Sequence, residues 1–283
     1  MAEEEEEEVM ELGAYGAAVR LVEDAASEIL LLWALNDPTA RRHNFFVRHA
    51  ALTLPIDSCG RHLSILQSPS SMSTPGVTGA VMWDSGVVLG KFLEHAVDSG
   101  KLSLKGKKVV ELGSGCGLVG CIAALLGGDV ILTDLPDRLK LLRRNVESNL
   151  GGGGVRGNAD VKELTWGDEL DFEFIDPLPD FVLGSDVIYS ESAVMDLLST
   201  ITQLCGGNTT IFLAGELRND AVLNYFLEAA VEEFTIGCVD QTQWHPDYRS
   251  HRVALFILVK KITKFAPQDP GNISDRKESE EIN

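Results

Sequence analysis

The residues best suited to chemistry in this sequence fall in three short runs. In the first, Glu111-Leu-Gly-Ser-Gly-Cys-Gly, an acid immediately precedes alternating glycines. The second is "DVILTD", an apolar run that ends in Asp134. The third is "SDVIYSE", which places Asp186 and Tyr189 three residues apart. Gly113, Gly115 and Gly117 allow a tight turn and let a ligand approach where a Cβ would otherwise stand. A helix that starts at such a turn presents free N–H groups and a partial positive charge. An acid about twenty residues further on, at the end of the next strand, can accept hydrogen bonds from both hydroxyls of a ribose. Asp186 and Tyr189 fall just beyond the carboxyl end of an apolar run, the edge where ligands sit in an open α/β sheet.

Bringing these runs together requires an α/β sheet. Lys108–Leu112 reads as a strand and about Gly117–Leu126 as its helix, followed by a strand over Asp129–Thr133. "PDRLKLLRRNVESNL" reads as a helix, with Pro136 suited to its first turn. Strands follow at "DVKEL", "DFVLGS" and "TTIFLAG", with helices at "ESAVMDLLSTITQLC" and "NDAVLNYFLEAAVEE". The last two strands, "FTIGCVDQ" and "RVALFILVK", have no helix between them, so the sheet should close with an antiparallel pair. Upstream, "GAVMWDSGVVLGKFLEHAVDSG" carries Val81, Val88, Phe92 and Ala96 at helical spacing. "NFFVRHAALTLPIDSCGRHLSILQS" reads as a hairpin about "DSCG". In "AYGAAVRLVEDAASEILLLWALNDP", helix and strand cannot be separated. The expected organisation is an acidic disordered tail over 1–13, an extension with a hairpin over 14–80, a nucleotide-binding catalytic domain over 81–262 and a disordered tail over 266–283.

"GCGLVG" formally satisfies the G-x-G-x-x-G pattern of NAD binders, so the glycines alone decide nothing. Two features favour S-adenosyl-L-methionine. Glu111, just before the turn, would repel a pyrophosphate but suits a ligand carrying an ammonium and a sulfonium. The helix-free end of the sheet also departs from a dinucleotide fold, which would continue with a second βαβαβ half.

The chain has 283 residues, 45% of them hydrophobic and 24% charged, as in an ordinary globular protein. Its net charge of −19 is concentrated at the ends, since residues 1–11 hold seven acids and no base. The body remains acidic, which disfavours a nucleic-acid partner and suits a basic one. Five cysteines without C-x-x-C spacing read as free thiols in a reducing compartment. The acidic start is unlike a signal peptide, and no apolar run approaches the ~18–20 residues of a membrane span. A cytoplasmic protein, present also in the nucleus, without membrane association and monomeric, is the expectation. His245 and His251 lack a nearby cysteine pair, so no metal site is expected.

The segments "GAVMWDSGVVLGKFL", "VVELGSGCGLVGCIAALLG", "VILTDLPDRLKLLRRNVESN", "KELTWGD" and "VLGSDVIYSESAVMDLL" resemble, in this order, those of the methyltransferase-like 21 group of protein-lysine methyltransferases. The resemblance runs from about Ser64 to Lys260. It implies a Rossmann-like, seven-stranded, mainly parallel sheet with its last strand antiparallel, and S-adenosylmethionine-dependent methylation of a lysine in a protein substrate. It also implies that Trp83 lines the cofactor pocket and that Gly113, Ser114 and Gly115 pass beneath the methionine and ribose. Asp134 would take the ribose, and Trp166 and Ser185 would flank the adenine. Alternatively, Trp83 and Trp166 are core indoles and Ser185 is a small strand-end residue.

Asp186 and Tyr189 match the family's acid-x-x-aromatic motif beside the transferred methyl. The plainer alternative is an Asp capping the next helix and a half-buried Tyr. A lysine must be neutral to attack, and an acid alone would favour its ammonium. Asp186 is therefore assigned to capturing and orienting the amine, with Tyr189 as wall or hydroxyl. Glu216 and Arg218, in "GELRND", lie on the same edge as candidates either to support the reacting residues from behind or to form the substrate rim. Two other readings remain open: methylation of a small molecule, and a non-catalytic cofactor-binding module.

Overall fold

The structure, a computed structural model, describes residues 9–35, 46–73 and 79–261. Its strands are β1 (Val9–Leu12), β2 (Tyr15–Leu21), β3 (Thr53–Ser58), β4 (Arg61–Leu66), β5 (Lys108–Leu112), β6 (Asp129–Asp134), β7 (Asn158–Glu163), β8 (Phe181–Ser185), β9 (Thr210–Glu216), β10 (Phe234–Cys238) and β11 (Val253–Lys260). The helices are α1 (Ala25–Leu35), α2 (Asp84–Asp98), α3 (Leu118–Leu125), α4 (Leu139–Leu150), α5 (Phe172–Ile175), α6 (Glu191–Leu204) and α7 (Asp220–Glu233).

Nine strands form the main sheet, in the order β1-β2-β10-β11-β9-β8-β5-β6-β7. β7, β6, β5, β8 and β9 run parallel, and β11 lies antiparallel between β9 and β10. The antiparallel closing pair is therefore as expected: the connection between β10 and β11 carries two short 3-10 turns and no crossover α-helix. The strand count corrects the expected seven. The two extra strands come from residues 9–21: β1 pairs with β2, and β2 pairs with β10, both antiparallel.

The end of the region read as an acidic tail over 1–13 thus forms β1, with Leu12 only 3% exposed. The apolar segment whose state was undecided splits into β2 and α1. Residues 1–8 of the first expected tail and all of the second, 266–283, lie outside the described residues.

The central strands are covered on both faces, which is why they read as near-continuous apolar runs. Val109 of β5 packs into a core shared with α2, α3 and α4, whereas Val110 and Leu112 pack into the opposite core with α1, α6 and α7.

The hairpin expected about "DSCG" is β3–β4, a separate two-stranded sheet. It is fastened to α4 by side chains that imitate a neighbouring strand. Asn149 Oδ1 accepts from Ser64 N–H (2.7 Å), and Asn149 Nδ2 donates back to Ser64 O (3.2 Å). One turn away, Asn145 Oδ1 accepts from Leu66 N–H (2.8 Å), while its Nδ2 donates to Leu66 O and to Cys116 O, each at 2.9 Å. Asn145 is completely buried, and Cys116 lies in the glycine-rich loop. One side chain therefore joins the hairpin, α4 and that loop.

Candidate active site

Strand order reverses about β5, and the candidate residues singled out in the sequence gather beyond the carboxyl ends of the strands beside it, where an open α/β sheet binds ligands. A cavity of about 320 Å³ opens there. Trp83, Glu111, Gly113, Ser114, Gly115, Asp134, Trp166, Ser185, Asp186 and Tyr189 all line it. Sequence reasoning expected each of these residues at the site, and the fold brings them to one space.

The loop after β5 holds Gly113 and Gly115 at φ 59° and 53°, in the left-handed region. A Cβ on Gly115 would lie 3.1 Å from Gly79 O, and one on Gly113 would lie 3.2 Å from Trp166 Cζ2. Asp134 fastens this loop from β6: its Oδ2 accepts from Gly115 N–H (2.7 Å) and its Oδ1 from Leu135 N–H (2.8 Å). Burial pushes the Asp134 carboxyl above its usual range, against the opposing effect of those two N–H groups.

Glu111 is 1% exposed, and its Oε2 accepts from Gly120 N–H of α3 (3.0 Å). Burial raises its carboxyl to about 8. Ser114, also buried, turns its hydroxyl toward Glu111 O at 3.5 Å. Cys116 is buried, and burial pushes its thiol up to about 12.

The opposite wall is built on the β8–α6 connection. Asp186 sits at φ 55°, a left-handed conformation that Asp tolerates better than most residues. Its backbone N–H donates to Ala214 O (2.8 Å), and its Oδ1 accepts from Glu216 N–H (3.0 Å). Oδ1 also pairs with Arg218 Nη2 at 2.8 Å. Oδ2 is buried and has no hydrogen-bond partner among the described residues. The Arg218 guanidinium lies 4.1 Å from the centroid of the Trp83 ring, and the centroid of the His49 ring lies 4.6 Å from it. Tyr189 is 44% exposed, with its ring centroid 6.3 Å from that of Trp166.

Behind Asp186, Glu216 Oε1 accepts from Asp84 N–H (3.0 Å) and its Oε2 lies 3.5 Å from Arg252 Nη2. Burial, followed by the Asp186 charge, raises the Glu216 carboxyl. Arg218 was expected either on the substrate rim or behind the reacting residues; it lines the cavity and holds Asp186. His49 and Asp84 carried no signal in the sequence, because their part depends on a segment folding over the start of α2. Asp84 Oδ1 accepts from Phe46 and Val47 N–H, each at 3.1 Å, and so anchors that segment. Among the described residues, no group of three or more His, Cys, Asp or Glu side chains is placed to hold a metal ion.

Residues 62–232 match the lysine methyltransferase family, a span that begins inside β4 and ends in α7. The chain belongs to that family. Its relatives include the mouse (Mus musculus) protein N-lysine methyltransferase METTL21A, 44% identical over 160 residues, which span 56% of this chain and 70% of that protein. Mouse EEF1A lysine methyltransferase 3 is 42% identical over 160 residues, covering 56% of this chain and 64% of that protein. Among solved structures, the magnesium protoporphyrin IX methyltransferase of Synechocystis PCC 6803 aligns at 15% identity with a TM-score of 0.45. That alignment covers 63% of this chain and 80% of that one.

Proposed function

We propose that this protein transfers a methyl group from S-adenosylmethionine to a lysine side chain of a protein substrate. The observation that carries the reading is that the glycine-rich loop, Asp134 and the Asp186–Tyr189 pair open into a single cavity. The lining fits the cofactor. Gly113 and Gly115 hold a left-handed backbone where a side chain would be strained and tightly packed, and each Asp134 oxygen accepts only one described N–H, leaving capacity for ribose hydroxyls. The buried acid Glu111 suits a cationic ligand, the indole of Trp166 offers a flat wall beside Gly113 for an adenine, and Ser185 lines the same cavity.

Bound there, the cofactor supplies a methyl group made electrophilic by its sulfonium. The chain's own residues align the acceptor and exclude water. Trp83 and Tyr189 wall the approach, and the unpartnered Asp186 Oδ2 is an acceptor for one N–H of the incoming amine. Asp186 orients rather than deprotonates: an isolated lysine at neutral pH needs roughly 4–5 kcal/mol to lose its proton, more than one carboxylate can supply.

Incubating the protein and cell extract with methyl-labelled cofactor tests the proposal, with mass spectrometry of the products. Label on lysine side chains is expected, and label only in small molecules would favour a metabolite methyltransferase instead. The accompanying proposals are a cytoplasmic and nuclear location and a monomeric enzyme without a nucleic-acid partner. Tagged-protein imaging, light scattering and titration with labelled RNA and DNA check these in turn.

A further inference from the structure

Resting on that reading, we propose that Arg218 is a positioning residue that acts through Asp186, balancing its charge so that the acceptor lysine binds as a neutral amine.

A carboxylate alone at the acceptor position would hold a lysine in its protonated, non-nucleophilic form. The structure supplies a counter-charge of fixed geometry. Arg218 Nη2 engages Asp186 Oδ1 at 2.8 Å, while its guanidinium is stacked 4.1 Å from the Trp83 centroid. The Asp186 side chain is only 5% exposed, so its end of the pair is shielded from water, while the Arg218 side chain stays 35% exposed. The pairing also divides the two carboxylate oxygens by task. Oδ1 is taken by Arg218 and by Glu216 N–H, which leaves Oδ2 as the one acceptor without a partner. A neutral amine can donate to Oδ2 and keep its lone pair free, whereas an ammonium would stand beside the fixed guanidinium.

The charged and titratable groups around this pair come from several elements. Asp84 lies at the start of α2, Glu216 at the end of β9 and Arg252 just before β11. His49 lies over Trp83, and Tyr189 is on the β8–α6 connection. Glu216 is itself met by Arg252 at 3.5 Å and by Arg218 Nε at 4.0 Å. Removing Arg218 therefore leaves three buried or nearly buried acids, Asp84, Asp186 and Glu216, opposite Arg252. Their combined field favours the protonated amine.

The test is the pH dependence of label transfer from S-adenosylmethionine to lysines of cell-extract protein, for wild type, Arg218→Gln and Arg218→Lys. Cofactor affinity is measured separately by calorimetry. The glutamine variant should move the midpoint of the rising alkaline limb up by about one pH unit. Its rate should fall about tenfold at neutral pH and recover toward wild type near pH 10. Arg218→Lys should keep the wild-type midpoint, and both variants should bind cofactor within a few-fold of wild type. A loss for Arg218→Gln that is equal at every pH, or no loss, would overturn the proposal and leave lysine methylation standing. A loss of cofactor affinity comparable to the loss of rate would also overturn it, by showing that Arg218 serves the cofactor pocket. Wild-type label found only in small molecules would overturn both readings.

Discussion

Glu111→Gln isolates the acid that precedes the glycine-rich loop. Burial lifts its carboxyl from 4.5 to about 8, so the folded chain without a neighbouring cation holds a proton there at pH 7. The stability contributed by that proton is fully present below pH 4.5 and is lost as pH rises through about 8. A cationic ligand favours the ionised form, so cofactor binding should release a proton near neutrality and tighten as pH rises toward 8. Calorimetry in buffers of different ionisation enthalpy should find release approaching one proton in wild type and none in Glu111→Gln; equal release would remove Glu111 from the coupling. Asp134→Ala should weaken cofactor binding by at least ~1.5 kcal/mol, measured in the same way, and unchanged affinity would take Asp134 out of the site. Asp186→Ala should instead slow methyl transfer about 10²-fold with cofactor affinity within a few-fold of wild type. These residues were legible because each is a chemically telling type at the end of a recognisable strand. The grip of Arg218 on Asp186 was not, since it joins two loops brought together only by the β8–β9 pairing.

At the scale of elements, the parallel strands and their helices could be read because apolar runs alternate with amphipathic ones. β1 could not. It has four residues set beside a run of glutamates, and only Leu12 among them is buried. Its place is fixed by distant partners: Ala14 N–H donates to Thr210 Oγ1 at 2.8 Å, and the Tyr15 hydroxyl donates to Gln243 Oε1 at 2.9 Å. Removing residues 1–13 should therefore lower the melting temperature by about 5 °C or more, from lost burial of one large apolar side chain and the pairing around it. An unchanged transition by calorimetry would show that β1 adds nothing. Asn145→Leu is the corresponding test of the hairpin. It removes this partner from Leu66 N–H, Leu66 O and Cys116 O, at about 1–3 kcal/mol for each buried group left unpaired. Amide exchange should quicken in both β3–β4 and the glycine-rich loop, and protection unchanged in the loop would uncouple the two.

Across the whole molecule, the net charge of −19 favours encounter with a basic protein surface. Added salt should raise KM for the protein substrate several-fold between about 50 and 500 mM and leave kcat little changed; a salt-independent KM would show that the charge serves solubility alone. The attachment of β2 to β10 has a consequence of another kind, in time. The Tyr15–Gln243 bond joins residues 228 positions apart, and Leu21 pairs with Gly237. On the ribosome, the earliest of the described strands emerge long before the strand that receives them. The parallel centre can assemble while synthesis continues, but β1 and β2 must wait with their pairing edge open until β10 has left the exit tunnel. Closing the sheet then shuts a loop of nearly the whole polypeptide, the class of contact that forms late and slowly. The acids beside β1 give that waiting edge like charge, which discourages two nascent copies from pairing with each other.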